Sequence, residues 1–237
     1  MKIRKRWREA QSAESDYWTG LSAATVQQIL RSNESMAKIL KTWISEFPSP
    51  AMEIGIGGLG VGLLGFVPGI PIRVGVDPLP LVYPSCGEDL LREIRSRRNG
   101  LHFVRSSGEA LPFQDGCVGF AVCFNVLDHV NDAPQVIEEI FRILRPGGLF
   151  FLSVDTFSYL GLAKWHLWTR PVRADEILVR AHPYRFLERH VKKMCRAAGF
   201  EMMRTIPRRP IDLVIGHSNP TPFLFRKVSR EDLEERS

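Results

Sequence analysis

From residue 51 to residue 154, short apolar runs alternate with one-sided helical patterns, and few folds accept that alternation. Ala51 to Ile56 is an apolar run that ends in glycines. Ile72 to Asp77 is a second run with an acidic end, Leu101 to Val104 a third, Phe120 to Phe124 a fourth and Leu149 to Val154 a fifth. Runs this short, bounded by Gly, Pro or charge, read as buried strands. Between them, Leu90 to Arg98 is a charged helical stretch. Pro134 to Leu144 puts Val136, Ile137, Ile140, Phe141 and Leu144 on one helical face. Asn131 or Asp132 can cap that helix, Pro134 suits its first turn, and Arg145-Pro146-Gly147-Gly148 ends it. Such an order specifies an α/β protein, a parallel sheet with helices on both faces. Farther on, Arg185 to Ala198 reads as a helix stopped by Gly199, and Glu201 to Ile206 and Phe223 to Val228 read as late strands.

The flanks read differently. In residues 1–47, Trp7, Tyr17, Trp18, Leu21, Val26, Ile29, Leu30, Met36, Ile39, Leu40, Trp43 and Ile44 recur at spacings near three and four. That predicts two or three amphipathic helices, a helical extension before Phe47-Pro48-Ser49-Pro50. A chain of 237 residues, 44% of them apolar, suits one large domain or one domain with an appendage. The four cysteines form no CxxC pair, which excludes a zinc ribbon or a disulfide scaffold, and no metal site is expected. The net charge of +6 is spread over Lys2 to Arg8, Arg92 to Arg98 and Arg204 to Arg209. With no aromatic-interleaved stripe, it reads as a solvated surface rather than a nucleic-acid footprint. The basic first ten residues lead into no apolar stretch, so they are not a secretory signal. Ile54 to Ile72 carries no charge, but its seven glycines and two prolines make it a poor membrane helix. The expected location is the cytoplasm.

The sharpest local feature is Glu53-Ile54-Gly55-Ile56-Gly57-Gly58-Leu59-Gly60, which follows a strand and precedes a helix-like stretch. Glycines there let the backbone turn tightly and approach a ligand. Asp77, about 20 residues on, ends the second strand, where a carboxylate can take both hydroxyls of a ribose. A nucleoside-bearing cofactor is expected. Gly55-x-Gly57-x-x-Gly60 also fits the dinucleotide fingerprint of an NAD(P)-dependent oxidoreductase. Glu53 argues against it: a carboxylate two residues before the first glycine repels a pyrophosphate and tolerates an ammonium.

Three further strings are more specific: Gly108-Glu109-Ala110-Leu111-Pro112-Phe113-Gln114-Asp115-Gly116, then Asn125-Val126-Leu127-Asp128-His129-Val130, then Leu144-Arg145-Pro146-Gly147-Gly148. In that order, from about Met52 to Asp155, the chain resembles the class I S-adenosylmethionine-dependent methyltransferases, most of all the methyltransferase type 11 branch. The resemblance implies a Rossmann-like sheet of seven strands, mostly parallel with the last antiparallel, filling residues 48–237. It implies S-adenosyl-L-methionine as cofactor. Glu53, Gly55, Ile56 and Gly57 would cradle the methionine part and Asp77 the ribose. Pro78 or Leu79 would pack on the adenine, with Gly108, Glu109 and Ala110 at its edge. Asn125 and Val126 would lie near the transferred methyl. The sequence departs from the family at Leu59, where a glycine is usual, at Ser107, where Asp is frequent, and at Val118-Gly119, where Phe-Asp is frequent.

Methyl transfer from a sulfonium asks mainly for alignment and exclusion of water, and for a base only when the acceptor is a weak acid or a protonated amine. The candidate bases are His129, with Asp128 beside it at the C-terminal edge of the sheet, His166 and His182. Asp155, Trp165 and His166 are candidate substrate contacts. Residues 156–184 stand where the family carries its substrate-specific insertion, and Trp7, Trp18 and Trp43 of the helical extension could cover the same mouth. The expected partner is a small-molecule acceptor methylated on oxygen or nitrogen. The rival readings are an NAD(P)-dependent oxidoreductase, a nucleic-acid methyltransferase and a non-catalytic cofactor-binding protein.

Overall fold

The structure, a computed structural model, describes residues 2–163, 184–207 and 219–228. Two helices come first, α1 (Lys2–Thr19) and α2 (Ala23–Trp43). The sheet strands follow: β1 (Ala51–Ile54), β2 (Arg73–Asp77), β3 (Leu101–Arg105), β4 (Val118–Phe124) and β5 (Leu144–Phe157). Helix α3 (Glu88–Arg98) lies between β2 and β3, and α4 (Ala133–Ile143) between β4 and β5. A two-residue β6 (Phe186–Leu187) leads into α5 (Glu188–Ala197), and β7 (Phe200–Thr205) and β8 (Asn219–Lys227) complete the set. Strand order is β3-β2-β1-β4-β5-β8-β7, with β6 paired to the end of β5. All pairings are parallel except those of β8, which runs antiparallel to β5 and β7. This is the expected Rossmann-like architecture.

The alternation of side chains along the strands makes two apolar layers. Ala121, Cys123, Phe150, Leu152, Phe223 and Phe225 face one side, where α4 and α5 cover them with Val136, Ile137, Ile140 and Val191. Phe120, Val122, Phe151 and Leu224 face the other, against Val26, Leu30, Ala37 and Leu40 of α2. Each large side chain buried this way stabilises the fold by about 1.5–3 kcal/mol.

The segment after β1 forms no α-helix. It holds only a single 3-10 turn, Leu63–Phe66. Gly58, Gly60, Gly62 and Gly65 make a longer helix costly, at about 1 kcal/mol per glycine against alanine. The sheet face above this segment is covered instead by α2, whose Asn33 donates a buried hydrogen bond to the Val61 carbonyl at 2.9 Å. Ser22 caps α2 by accepting from Thr25 N, and Asp132 caps α4 by accepting from Gln135 N. At the start of β4 the glycine in place of the frequent Asp has a steric reason: a Cβ on Gly119 would run into Pro48 and crowd the Arg145 side chain, and the pairing is irregular there, with the extra residues on β5.

Among the described residues, no helix is long and apolar enough to cross a membrane and no His/Cys/Asp/Glu group could hold a metal ion. The four cysteines are free thiols.

Candidate functional site

In this strand order successive strands are added to one side of β1 and then, from β4 on, to the other, and the crevice beyond the C-terminal ends of β1 and β4 is where a doubly wound sheet takes its ligand. A cavity of about 510 Å³ opens there, within the range of small-molecule sites, about 300–1,000 Å³. Its floor is Glu53 to Gly57 after β1 and Phe124 to Val126 after β4. Asp77, Pro78 and Leu79 at the end of β2 and Ser106 to Glu109 after β3 form one wall. Gln11, Glu14, Tyr17 and Trp18 of α1 and Ile29, Ser32 and Asn33 of α2 close it from above.

The crossing between β1 and β4 is tight. Gly55 has φ +75°, and a Cβ there would collide with Val126. Asn125 itself takes φ +57°, with its N–H donating to Ser153 O at 2.7 Å. Asparagine tolerates that left-handed geometry better than most residues.

Asp77 holds the two halves of the site in register. Its Oδ2 accepts from Gly57 N at 2.8 Å and its Oδ1 from Leu79 N at 2.9 Å. An ionised carboxylate oxygen accepts two hydrogen bonds, so each retains capacity for one more partner. Burial pushes the Asp77 carboxyl up to about 6, against the lowering effect of the two N–H donors, and the charge of Glu14 adds to the rise.

Glu53 is more deeply enclosed. Its two oxygens accept from Leu63 N at 2.8 Å and Leu64 N at 2.9 Å, the open donors of the 3-10 turn. Gly62 leaves the room, since a Cβ there would strike the carboxylate. Burial raises its carboxyl to about 7 despite those two bonds. Glu53 therefore both shapes the loop and borders the cavity.

The Gly108-to-Gly116 string owes its shape to α4. Leu111 N donates to Glu139 Oε2 at 2.8 Å. Arg142 donates to the carbonyls of Leu111 and Phe113, to Asp115 and to both oxygens of Glu139. The guanidinium holds the Glu139 carboxyl below its ordinary range. Glu109 Oε1 accepts from the backbone N–H groups of Asn131 and Asp132, tying the loop after β3 to the loop after β4.

The structure thus brings Glu53, Gly55, Ile56, Gly57, Asp77, Pro78, Gly108, Glu109, Asn125 and His129 to one cavity. Ala110 and Asp128 lie just outside its lining; Asp128 is buried, with Oδ2 3.7 Å from His129 Nε2. Asp155 sits on β5 opposite Pro220, which lines the cavity where Asp155 does not. Trp165, His166 and His182 lie outside the described residues, as does most of the stretch 156–184. Of the tryptophans proposed as a cover, Trp18 reaches the cavity, whereas Trp43 packs edge-on against Phe151. Sequence reasoning missed Glu14, Tyr17, Ser32 and Asn33. Only their i, i+3 and i+4 spacing with neighbouring apolar residues hinted at an inward face.

The ionisable lining is one-sided. Among the described residues it holds four carboxylates, Glu14, Glu53, Asp77 and Glu109, one histidine, and neither lysine nor arginine. Such a cavity favours a cationic ligand and disfavours a pyrophosphate.

Known proteins resemble this chain in sequence and in fold. Residues 73–152 match a family profile described as a methyltransferase domain. An uncharacterized methyltransferase of Mycolicibacterium vanbaalenii is 30% identical over 185 residues, covering 76% of this chain and 67% of the relative. One from Mycolicibacterium gilvum is 32% identical over 144 residues, 60% of this chain and 49% of the relative. The chain spans about half the length of the first curated relatives it matches. Among solved structures, a 1,6-didemethyltoxoflavin-N1-methyltransferase of Burkholderia thailandensis, bound to 1,6-didemethyltoxoflavin and S-adenosylhomocysteine, superposes with TM-score 0.53 at 19% identity. That match covers 83% of this chain and 78% of the other, a likeness of fold.

Proposed function

Because the chain belongs to the S-adenosylmethionine-dependent methyltransferases, we propose that its cavity binds S-adenosylmethionine and that the protein methylates a small-molecule acceptor on oxygen or nitrogen. One observation carries the reading: a cavity of suitable size edged by Glu14, Glu53, Asp77 and Glu109, with no lysine or arginine among its described lining residues. A sulfonium and an ammonium suit that lining, and the pyrophosphate of a dinucleotide does not. Asp77 keeps acceptor capacity for a ribose diol after its bonds to Gly57 and Leu79 are counted. The residues present therefore fit the cofactor.

When bound, the sulfonium supplies an electrophilic methyl group and a neutral leaving group, so that an acceptor lone pair can displace it as the C–S bonding pair returns to sulfur. The chain's own work is placement. Asp77 holds the ribose, the loop after β1 the methionine part, and Pro78 and Leu79 offer an apolar surface beside the adenine. Trp18, Tyr17, Val126 and Val130 limit water at the cavity, and proximity in such a site can supply about 7–11 kcal/mol of the barrier. His129 and Asp128 are the proposed proton acceptors for an acceptor that needs deprotonation. With α1 in place, His129 Nδ1 lies 2.8 Å from Glu14 Oε1, which leaves Nε2 as the nitrogen that would take the proton. The small-molecule acceptor is supported by the neighbour of the same fold that holds 1,6-didemethyltoxoflavin with S-adenosylhomocysteine.

The test is calorimetry with S-adenosylmethionine, S-adenosylhomocysteine and NAD. Binding of the first two and not of NAD supports the reading. Binding of NAD alone would replace it with the oxidoreductase.

A further inference from the structure

We propose that Glu14 is a working residue of this site: by pairing with His129 it latches α1 over the cavity, and the helix thereby governs how the cofactor enters and leaves. The inference rests on the reading that the cavity takes S-adenosylmethionine.

Gln11, Glu14, Tyr17 and Trp18 fall at spacings of three and four, so α1 turns one face to the cavity, and all four line it. Glu14 makes two contacts at once. Its Oε1 lies 2.8 Å from Nδ1 of His129, on the turn after β4, and its Oε2 accepts from Nε1 of Trp18 at 3.1 Å. Both side chains of this contact are about four-fifths buried, with exposures of 18% and 19%. Water therefore screens the pair less than it would on an open surface.

The bond to Trp18 aims the indole. That ring fills the space a Cβ would need on Gly57 and Gly58. A ligand that approaches these two glycines from that side has to displace it. The carboxylate at position 14 thus fixes both the helix, through His129, and the side chain that covers the glycine loop.

Little else among the described side chains holds α1 down. None of those at residues 11–19 is fully buried, and Tyr17 is 48% exposed. Helix α2, by contrast, buries six. Gly20 and the cap residue Ser22 separate the two helices, a short joint about which α1 can swing. A stretch of helix whose described side chains are all partly exposed opens at low cost, so its closure depends on contacts such as that of Glu14 with His129.

The test is amide hydrogen exchange on the full chain, comparing wild type, Glu14→Gln, His129→Gln and the double variant. Each single variant is expected to speed exchange in residues 11–19 by about fivefold, the factor expected of a pair at the upper end of the surface range. The double variant should add nothing further, and the amides of β4 and α4 should stay as they were. Dissociation of S-adenosylhomocysteine should speed up by a similar factor in all three variants. Unchanged exchange in α1, or single effects that simply add in the double variant, would overturn the latch. If α1 loosens as expected while the wild type binds no S-adenosylhomocysteine, the latch stands and the function proposed above falls.

Discussion

Asp77 at the end of β2 accepts a hydrogen bond from the backbone N–H of Gly57 in the loop after β1, at 2.8 Å. The two strands are neighbours in parallel register, Ile54 opposite Val76, so the bond fastens the loop to the strand that carries the carboxylate. One side chain thereby shapes the loop and presents the acceptor for a ribose. Asp77→Ala should lower affinity for S-adenosylhomocysteine at least about tenfold and destabilise the fold by about 1–3 kcal/mol, because two N–H donors lose their partner. Calorimetry and urea denaturation measure the two losses separately.

Glu53 predicts a pH-dependent stability. Its carboxyl stands near 7 in the fold against an ordinary value of 4.5, so the native state holds a proton that the unfolded chain has released. Between those values the folded protein binds more protons, and stability falls as pH rises. The loss should approach about 3 kcal/mol and level off above pH 7, on a scale of about 1.36 kcal/mol per pH unit. Asp77, near 6 in the fold against 3.8, acts in the same direction over a lower window. Denaturation from pH 4.5 to 8 measures the slope, and Glu53→Gln should remove most of it above pH 6.

Ligand affinity should move the other way. A cationic cofactor prefers ionised carboxylates, so binding of S-adenosylmethionine should tighten from pH 5.5 to pH 7.5 as Asp77 and Glu53 lose their protons. Calorimetry in buffers of different ionisation enthalpy should detect proton release at pH 6.5. Affinity that is flat across this range would count against both residues as neighbours of positive charge.

Gly57 is held at φ +68°, and its missing Cβ leaves the space that Trp18 fills. Gly57→Ala meets two penalties, backbone strain of about 1–2 kcal/mol and the displaced indole. In a Trp18→Ala background only the first remains. The Gly57→Ala penalty measured by denaturation should therefore shrink in that background.

Arg142 predicts damage at a distance. Its five bonds hold Leu111, Phe113, Asp115 and Glu139 in place. Arg142→Ala should destabilise by about 2–3 kcal/mol, and Arg142→Lys should recover only part, because an ammonium lacks the planar fork. Thermal denaturation of the two variants reads the difference.

Much of this was legible before the structure. The apolar runs at 51–56, 72–77, 101–104 and 120–124 lie within two residues of β1 to β4, because buried strands advertise themselves by composition. The link from Gly57 to Asp77 was foreseen as a shared ligand seat, though not as a direct hydrogen bond. Leu144 was read as the last residue of a helix and Arg145 to Gly148 as its stop. Leu144 instead opens β5 by pairing with Val118, a partner no local pattern names. The helix expected after the glycine loop gave way to the 3-10 turn, for the glycine count already visible in the chain. Asn33, which ties α2 to Val61, had no signature, since a lone asparagine on an amphipathic helix reads as solvated. Glu14 was equally silent: its contact with His129 spans 115 residues, and only the fold brings the two together.

The central claim is that a carboxylate-lined seat between β1 and β4 holds a sulfonium nucleoside. Its most direct measurement is a calorimetric titration of the full chain with S-adenosylmethionine at pH 7.5, repeated on Asp77→Ala and with NAD. One binding site per chain, weakened at least about tenfold by the substitution and closed to NAD, is the expected result. Equal affinity in wild type and Asp77→Ala, or tighter binding of NAD, would contradict it.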